Sequence, residues 1–160
     1  MKKKILLTIL AIFIIIQFIR PARNISDEVA ATDITKVYSV PADVQQILKV
    51  SCNDCHSNNT EYPWYTNIQP VGWWLQHHVN EGKAELDFSK FSTYSPKRQH
   101  HKLEEVIEQV KDNHMPLDSY LWIHKDARLS AEQKALLTTW AGDLRKQIAQ
   151  ANNLPEDKKR

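Results

Sequence analysis

The spacing of apolar positions divides the chain into a short N-terminal apolar segment and a longer region with helical periodicity. Residues 5–19 are nearly all aliphatic or aromatic, and they directly follow three lysines. Beyond residue 40, apolar residues recur every three or four positions in two long stretches: Leu103, Val106, Ile107 and Val110, and then Leu136, Trp140, Leu144 and Ile148. Only three glycines occur in 160 residues, which disfavours a sheet with many tight turns. The pattern predicts an all-α fold.

Helix-capping and helix-breaking residues set the boundaries of the predicted elements. We expect helices over 41–50, 70–81, 96–113 and 130–151, with irregular structure over 88–94 and one or two turns over 119–124. Gly82 is predicted to end the second helix, since glycine is frequent just after a helix. Ser95 is the predicted N-cap of the third helix, which is expected to end ahead of Pro116. Ser130 and Gln133 match a capping box at the start of the last helix.

The N-terminal segment, residues 1–23, has the composition of an export signal or a membrane anchor. Its apolar run would extend roughly 22 Å as a helix, against ~30 Å for a bilayer core. Residues 20–23 form a poor cleavage site, and the small residues of 29–31 lie far downstream. The sequence favours an uncleaved anchor that holds the rest of the chain in the periplasm or otherwise outside the cytoplasm, with a cleaved signal as the alternative.

The rest of the chain divides into a linker over 24–40, one helical domain over 41–150 and a polar tail over 151–160. Five of the 21 Lys and Arg residues lie before residue 24, so 16 remain against 19 Asp and Glu. A slightly acidic domain without a basic stripe is not expected to bind nucleic acid.

Both cysteines of the chain fall in the run Cys52-Asn53-Asp54-Cys55-His56. This C-x-x-C-H pattern is typical of c-type haem attachment. Two thiols three positions apart can bond the two vinyl groups on one edge of a porphyrin, and the next histidine can ligate the iron. The pattern predicts one covalent haem c on Cys52, Cys55 and His56. The export signal agrees with this prediction, because such attachment is completed outside the cytoplasm.

Other interpretations of the cysteine pair stay open. The pair could be a dithiol redox centre or a structural disulfide. It could also be half of a zinc site. The further zinc ligands would then be two histidines from one set: His77, His78, His100, His101 and His114.

A six-coordinate haem needs a second axial ligand, either Met or His. Met115 is the only internal methionine, and it lies at a helix break beside Pro116. The sequence therefore predicts that His56 and Met115 both ligate the iron. The alternative is that Met115 only packs in the core. Rival ligands are histidines: His114 first, then His77 and His78.

The stretch 52–91 resembles a family of small bacterial haem-binding domains of the cytochrome-c-like kind. That family typically shows C-x-x-C-H-S-N, P-W-Y, W-x-x-x-H-H-V-x-E-G and N-F-S-x-W, and the last motif here reads Asp87-Phe88-Ser89-Lys90-Phe91. Residues 115–140, which begin with Met-Pro and end with Trp, are also similar to the family. The resemblance implies a cytochrome-c-like all-α fold, a short N-terminal anchor and a single haem c.

Two functions of different classes follow from these features. A haem with His56 and Met115 in both axial positions suits a non-catalytic electron carrier that meets redox partner proteins at the membrane. The alternative is a peroxidase-like haem enzyme, or a gas or redox sensor, with an open or displaceable distal site and His114 or His77 as its acid–base group. The sequence favours the carrier, because nothing in it requires an open iron site.

Overall fold

The computed structural model describes residues 1–155, and every regular element in that part of the chain is a helix. The all-α prediction is therefore confirmed. The α-helices are α1 (Lys2–Ile16), α2 (Ile34–Val37), α3 (Ala42–Ser51), α4 (Asn53–His56), α5 (Val71–Glu85), α6 (Pro96–Lys111), α7 (Asp118–Leu121) and α8 (Ala131–Ala151). Short 3-10 helices lie over Trp64–Asn67, Phe88–Thr93 and Lys125–Ala127.

The long helices α6 and α8 form an antiparallel pair at the centre of the core. Arg145 of α8 meets Glu104 of α6 at 2.9 Å, whereas Lys134 at the other end of α8 bonds to Asn113 just beyond α6. The side chains with the predicted helical spacing are buried between these helices and α3: Val44, Ile47, Leu48, Leu103, Val110, Leu137, Leu144 and Ile148. Burial of these apolar faces is the main contribution to the stability of the domain.

Polar caps fix where α6 and α8 begin, as the sequence predicts. The Ser95 hydroxyl accepts a hydrogen bond from the backbone N–H of Arg98 at 3.3 Å. At the start of α8, the Ser130 hydroxyl accepts from the Gln133 N–H at 3.2 Å, and the Gln133 side chain accepts from the Ser130 N–H at 2.9 Å. Each cap satisfies backbone donors that the first helical turn leaves without partners.

The end of α6 is a Schellman motif. Asn113 has a positive φ of 61°, the left-handed conformation that asparagine tolerates better than most residues. The N–H of His114 then donates to the carbonyl of Gln109 at 2.9 Å, and the N–H of Asn113 to that of Val110 at 3.3 Å. The helix therefore ends at Lys111, slightly before the predicted boundary at residue 113.

The second predicted helix is longer than expected. α5 runs Val71–Glu85, so the predicted end at Gly82 is wrong. Gly82 lies within the helix because α5 passes very close to α4 at this position. A Cβ at Gly82 would lie 2.7 Å from the carbonyl oxygen of Cys55. The glycine is needed for close packing and does not end the helix.

Residues 88–94, predicted to be irregular, contain the 3-10 helix Phe88–Thr93. The Asp87 carboxylate caps it by accepting from the Ser89 N–H at 3.0 Å. Phe88 and Phe91 are both buried, at the three-residue spacing that aligns side chains on a 3-10 helix. A segment this short has too few apolar positions to reveal its period. The turn expected over 119–124 corresponds to α7.

Residues 24–40, predicted as a linker, pack on the helical domain. They include α2, whose Ile34 is 1% exposed, and Val40 is buried as well. The Thr32 hydroxyl donates to the carbonyl of Ser89 at 2.7 Å. At the other end of the chain, α8 ends at Ala151, and the part of the predicted tail over 156–160 lies outside the described residues.

Asn24 connects this segment to the rest of the domain. Its side-chain NH₂ donates to the carbonyl of Ser57 at 2.8 Å and to the Thr60 hydroxyl at 2.9 Å. Its side-chain oxygen accepts from the Lys83 ammonium at 2.5 Å. One side chain therefore joins the N-terminal segment, the loop after α4, and α5.

α1 contains most of the apolar run that the sequence predicts as an anchor, and none of its side chains is buried. Beyond its end, Gln17 exchanges two hydrogen bonds with the backbone of Gln69, at 2.9 and 3.2 Å. The indole N–H of Trp73 donates to the carbonyl of Ile19 at 2.7 Å. Over residues 1–155, no helix combines the length and the apolar character needed to span a membrane.

Replacement of Asn24 by alanine should lower the free energy of unfolding by about 1–3 kcal/mol, because Lys83 and the Ser57 carbonyl both lose a partly buried partner. As a control, Asn59→Ala removes a side chain at an exposed position of the same loop and should change stability by less than ~0.5 kcal/mol. Urea unfolding followed by far-ultraviolet circular dichroism measures both effects. Equal stabilities for the two variants would contradict the assigned role of Asn24.

Candidate functional site

The Cys52–His56 run forms a break between helices followed by a single helical turn. Cys52 lies between α3 and α4 with φ −130° and ψ −42°. Its carbonyl accepts from the N–H of Cys55 at 3.1 Å and from the N–H of His56 at 3.0 Å. The local fold thus brings Cys52, Cys55 and His56 to the wall of one cavity.

The His56 ring is held by the end of α5. Its Nδ1 lies 2.9 Å from the carbonyl oxygen of Leu86, and Phe88 packs edge-on with ring centroids 6.2 Å apart. A carbonyl can only accept, so this contact requires the proton on Nδ1 and leaves Nε2 with a free lone pair. Burial lowers the pKa of His56 and outweighs the opposing bond to Leu86. The imidazole is therefore neutral, as a metal ligand must be.

Cys52 and Cys55 do not form a disulfide, and the pKa of each thiol is raised, so both are protonated at neutral pH. Burial, and then the neighbouring Cys55, raises the pKa of Cys52 to about 12. Burial, and then the charge of Asp54, raises the pKa of Cys55 to about 11. A dithiol redox centre needs an accessible thiolate with a lowered pKa. The surroundings of Cys52 and Cys55 instead raise both pKa values, which disfavours the thiolate.

A cleft made of two adjoining cavities opens beside the motif. The cavities have volumes of about 310 and 300 Å³, and both are lined by Ser51, Cys52, His56, Glu85 and Met115. The larger one has a mostly apolar wall contributed by several elements: Leu48, Leu86, Phe88, Val106, Val110 and Leu137. The cleft can therefore take a large apolar group whose edge meets the two thiols.

Met115 reaches this cleft through the loop after α6. The loop is fixed by the Schellman motif, and the Met115 N–H donates to the carbonyl of Gln109 at 3.1 Å. Met115 lines both cavities together with Cys52 and His56. All four residues predicted for the site, including Cys55, thus contribute to one cleft.

The histidines considered as rival ligands lie in different places. His78 lines the smaller cavity, and its Nδ1 contacts the carbonyl of Trp74 at 2.8 Å. His77 and His101 are largely exposed and face carboxylates of their own helices, and His114 is exposed. Within residues 1–155 no group of three or more His, Cys, Asp or Glu side chains is arranged to hold a metal ion.

Lys102 supplies a positive charge to the cleft. Among the described lining residues it is the only lysine or arginine, and it is 9% exposed. Its ammonium lies 2.6 Å from Glu105 and 3.4 Å from Glu85. Burial alone would lower the pKa of Lys102, but the hydrogen bonds and charges of these two carboxylates outweigh burial and raise it. Lys102 therefore stays charged beside His56.

Asp54, inside the motif, ties α4 to two other elements. Its carboxylate accepts from the Tyr120 hydroxyl at 2.8 Å and from the Glu61 N–H at 2.9 Å. Burial and the bond to Asp54 both raise the pKa of Tyr120. The Tyr120 ring stacks on His124 at 4.1 Å. The contacts of Asp54 stabilise one side of the α4 turn, and α5 packs against the other side.

The sequence did not reveal four contributors to this site. Gly82 resembles a helix terminator, Leu86 acts only through its backbone carbonyl, and Asp54 is one of the two unspecified positions of the motif. Lys102 follows two histidines on a polar helix, so nothing marks it as buried. Only the scarcity of glycine in the chain could have drawn attention to Gly82 as a packing position.

The comparisons with known proteins decide the family. The family whose sequence model is described as a haem-binding domain matches residues 11–143, which is most of the chain. The chain belongs to the haem-binding domain family. The searches of curated proteins and of solved structures gave no match.

The residues of the cleft fit haem, the ligand that the family binds. The unprotonated Nε2 of His56 is a suitable iron ligand, and the Leu86 carbonyl accepts the Nδ1–H hydrogen bond that orients such a histidine. The apolar wall suits the flat face of a porphyrin.

The contact between Gly82 and Cys55 is testable with a matched pair of glycine variants. Gly82→Ala should destabilise the protein by about 1–3 kcal/mol, because the new Cβ would overlap backbone and must displace α4. Gly142→Ala, in the interior of α8, meets nothing closer than Ile107 at 3.9 Å. It should be neutral or stabilising by up to ~1 kcal/mol through helix propensity.

Thermal unfolding of the apoprotein measures both stabilities, and haem content after maturation shows whether displacement of α4 harms the site. A Gly82→Ala protein as stable and as haem-loaded as Gly142→Ala would contradict the close-packing role of Gly82.

Proposed function

We propose that this haem-binding protein is a monohaem c-type cytochrome that transfers electrons at a membrane. The single observation that carries the proposal is the common cleft of Cys52, Cys55, His56 and Met115. A neutral histidine, two thiols and one thioether would supply both covalent attachment and two iron ligands.

The cysteines would hold the haem through thioether bonds. Each thiol S–H adds across one porphyrin vinyl group: sulfur bonds one carbon, the proton goes to the other, and no oxidant or reductant is consumed. Cys52 and Cys55 are both free for this addition. The attached cofactor would be held in the apolar cleft, with His56 and Met115 available as iron ligands.

Haem supplies the Fe(II)/Fe(III) couple when it is bound. The role of the chain is to keep His56 oriented through Leu86 and to provide the thioether of Met115, which favours the reduced iron relative to a second histidine. If His56 and Met115 both bind the iron, the protein would pass electrons between partner proteins without binding a substrate there.

A peroxidase-like enzyme or a gas or redox sensor is a second candidate, and one observation favours it. His78 and Tyr120 line the smaller cavity together with Met115. Such groups could exchange protons with a ligand if Met115 were displaced. This function requires an iron that accepts external ligands readily.

For location, we propose that α1 inserts into the membrane and that the haem domain lies outside the cytoplasm, in the periplasm or its equivalent. The support is the sequence pattern of lysines followed by an apolar run. α1 has 15 residues and would need the flanking residues to help it cross a bilayer. Redox partner proteins would then be found at the same membrane.

Covalent attachment is tested with protein made in a host that matures c-type cytochromes. Haem should remain with the polypeptide through acid–acetone extraction and denaturing electrophoresis, and the double variant Cys52→Ala, Cys55→Ala should lose it completely. Asn53→Ala changes one of the unspecified motif positions and should keep it. Stoichiometric zinc in place of iron in the matured wild type would exclude the proposal.

Ligation by Met115 is tested by spectroscopy. The oxidised wild type should have the weak near-infrared band of sulfur-to-iron charge transfer and should bind carbon monoxide slowly when reduced. Met115→Ala should lose the band, bind carbon monoxide at once and have a lower midpoint potential. His114→Ala should leave all three properties unchanged. A wild type without the band that binds carbon monoxide immediately would favour the enzyme or sensor.

Membrane attachment is tested by fractionation of cells that produce the full chain. The protein should sediment with membranes and resist carbonate washing, and external protease should reach its helical domain in spheroplasts. Recovery of a soluble protein that begins near residue 32 would instead identify the N-terminal segment as a cleaved signal.

A further inference from the structure

Five exposed apolar side chains lie in or next to a groove at the N-terminal end of α5, the end that the residues after α1 contact. We call them the tryptophan patch: Trp64, Val71, Trp74, Trp122 and Ile123. Trp64 and Trp122 are 75% and 71% exposed, which is unusual for the largest apolar side chain in a water-facing position.

The members come from three parts of the chain; three of them line one groove, and the other two adjoin residues that line it. Val71 and Trp74 of α5 line the same narrow apolar groove as Ile123, which follows α7. Tyr65 lines that groove too, and its ring meets the ring of Trp64 at 6.0 Å. Trp122 is the direct neighbour of Ile123.

The chain itself points to what covers this patch. α1 is mostly apolar and has no buried side chain, and the residues just after it are hydrogen-bonded to the domain near the start of α5. Gln17 is hydrogen-bonded to Gln69, and Ile19 accepts from Trp73, one residue before Trp74. Any surface that receives α1 is therefore brought close to the N-terminal end of α5, where Val71 and Trp74 also lie.

The length of α1 adds a second constraint. Its 15 residues extend roughly 22 Å, less than the ~30 Å of a bilayer core. A short helix in a bilayer draws the residues at its end towards the headgroup layer. Because Gln17 and Ile19 are fixed to the domain, the surface at Gln69 and Trp73 would be drawn in with them.

The chemistry of the surface matches that layer. Tryptophan is enriched at membrane interfaces, where its ring meets lipid and its N–H meets water. Arg20 and Arg23 lie between α1 and the domain, and Arg23 is fixed by a 2.6 Å bond to Asn67 and by the face of Tyr62 at 5.0 Å. Guanidinium groups in this position suit lipid phosphates.

We propose that the tryptophan patch lies in the headgroup layer of the membrane and fixes the orientation of the haem domain on it. This inference rests on the proposed insertion of α1 and not on the nature of the haem chemistry. α1 supplies attachment, and the patch supplies a second contact that prevents the domain from tumbling about its tether.

The test uses full-length holoprotein reconstituted into phosphatidylcholine–phosphatidylglycerol vesicles that contain a phospholipid with a photoactivatable diazirine near the headgroup. After irradiation and proteolysis, lipid adducts are mapped by mass spectrometry. We expect adducts on α1 and on the peptides that carry Trp64, Trp74 and Trp122. The exposed residues Lys97 of α6 and Gln147 of α8 serve as internal controls and should be unlabelled.

A double variant, Trp64→Glu with Trp122→Glu, tests causation. Lipid adducts on the patch peptides should fall at least fivefold, while adducts on α1 persist. An unchanged haem absorbance spectrum establishes that the variant is folded. Persistence of the patch adducts at the wild-type level in this variant would overturn the proposal.

The remaining outcomes separate this inference from the anchor and from the cytochrome function. Adducts on α1 with none on the patch would overturn the inference and leave the anchor intact. A lack of adducts on both α1 and the patch would overturn this inference and the proposed anchor. Covalent haem retention is judged independently by denaturing electrophoresis. A patch that carries crosslinks to a second copy or to another protein, and no lipid, would overturn the inference in favour of a protein interface.

Discussion

The helical turn that carries Cys55 and His56 has four residues, too few to be stable by itself, so its position depends on the contact with α5. Two features of α5 provide that contact. Gly82 removes the side chain that would hold the helices apart, and the carbonyl of Leu86, just beyond the helix, receives the His56 Nδ1–H. Asp54 fixes the opposite side of the turn through Tyr120. If α5 moved, the His56 imidazole would lose its hydrogen bond to Leu86. The two thiols would also lose their position at the cleft.

The same packing determines the protonation states of the site. Burial lowers the pKa of His56 and raises the pKa values of Cys52 and Cys55, so the folded motif presents a neutral imidazole and two protonated thiols. That combination suits a ligand for iron and two S–H groups that can add to vinyl carbons. It opposes thiolate chemistry, because a buried thiolate lacks the solvation or the nearby cation that would stabilise it. The only lysine or arginine among the described lining residues, Lys102, is already paired with two carboxylates.

The elements with long apolar periodicity were predictable from the sequence, and those governed by single contacts were not. α3, α6 and α8 follow the spacing of their core residues, and the caps at Ser95 and Ser130 act as the sequence predicts. α5 extends beyond Gly82 because the structural role of that glycine lies in α4, which is distant along the chain. The 3-10 helix at Phe88–Thr93 and the packing of residues 24–40 depend on tertiary contacts that leave no periodic signal. At the site, the residue types alone identified Cys52, Cys55, His56 and Met115 as candidates. Leu86 could not be predicted, because it contributes a backbone carbonyl, which every residue has.

α5 also sets the distance between the apolar surface at its start and the Cys52–His56 motif. It begins at Val71, next to the indole groups on the surface, and it meets the haem motif at Gly82, a rise of roughly 16 Å along one unbroken helix. A continuous helix changes length far less readily than a loop. The number of helical residues between Val71 and Gly82 therefore sets the distance from this surface to the imidazole of His56. Deleting one residue between these points would shorten the span by about 1.5 Å and rotate one end by about 100° relative to the other. Anything held at that surface would therefore lie at a distance from His56 that is set by the register of a single helix.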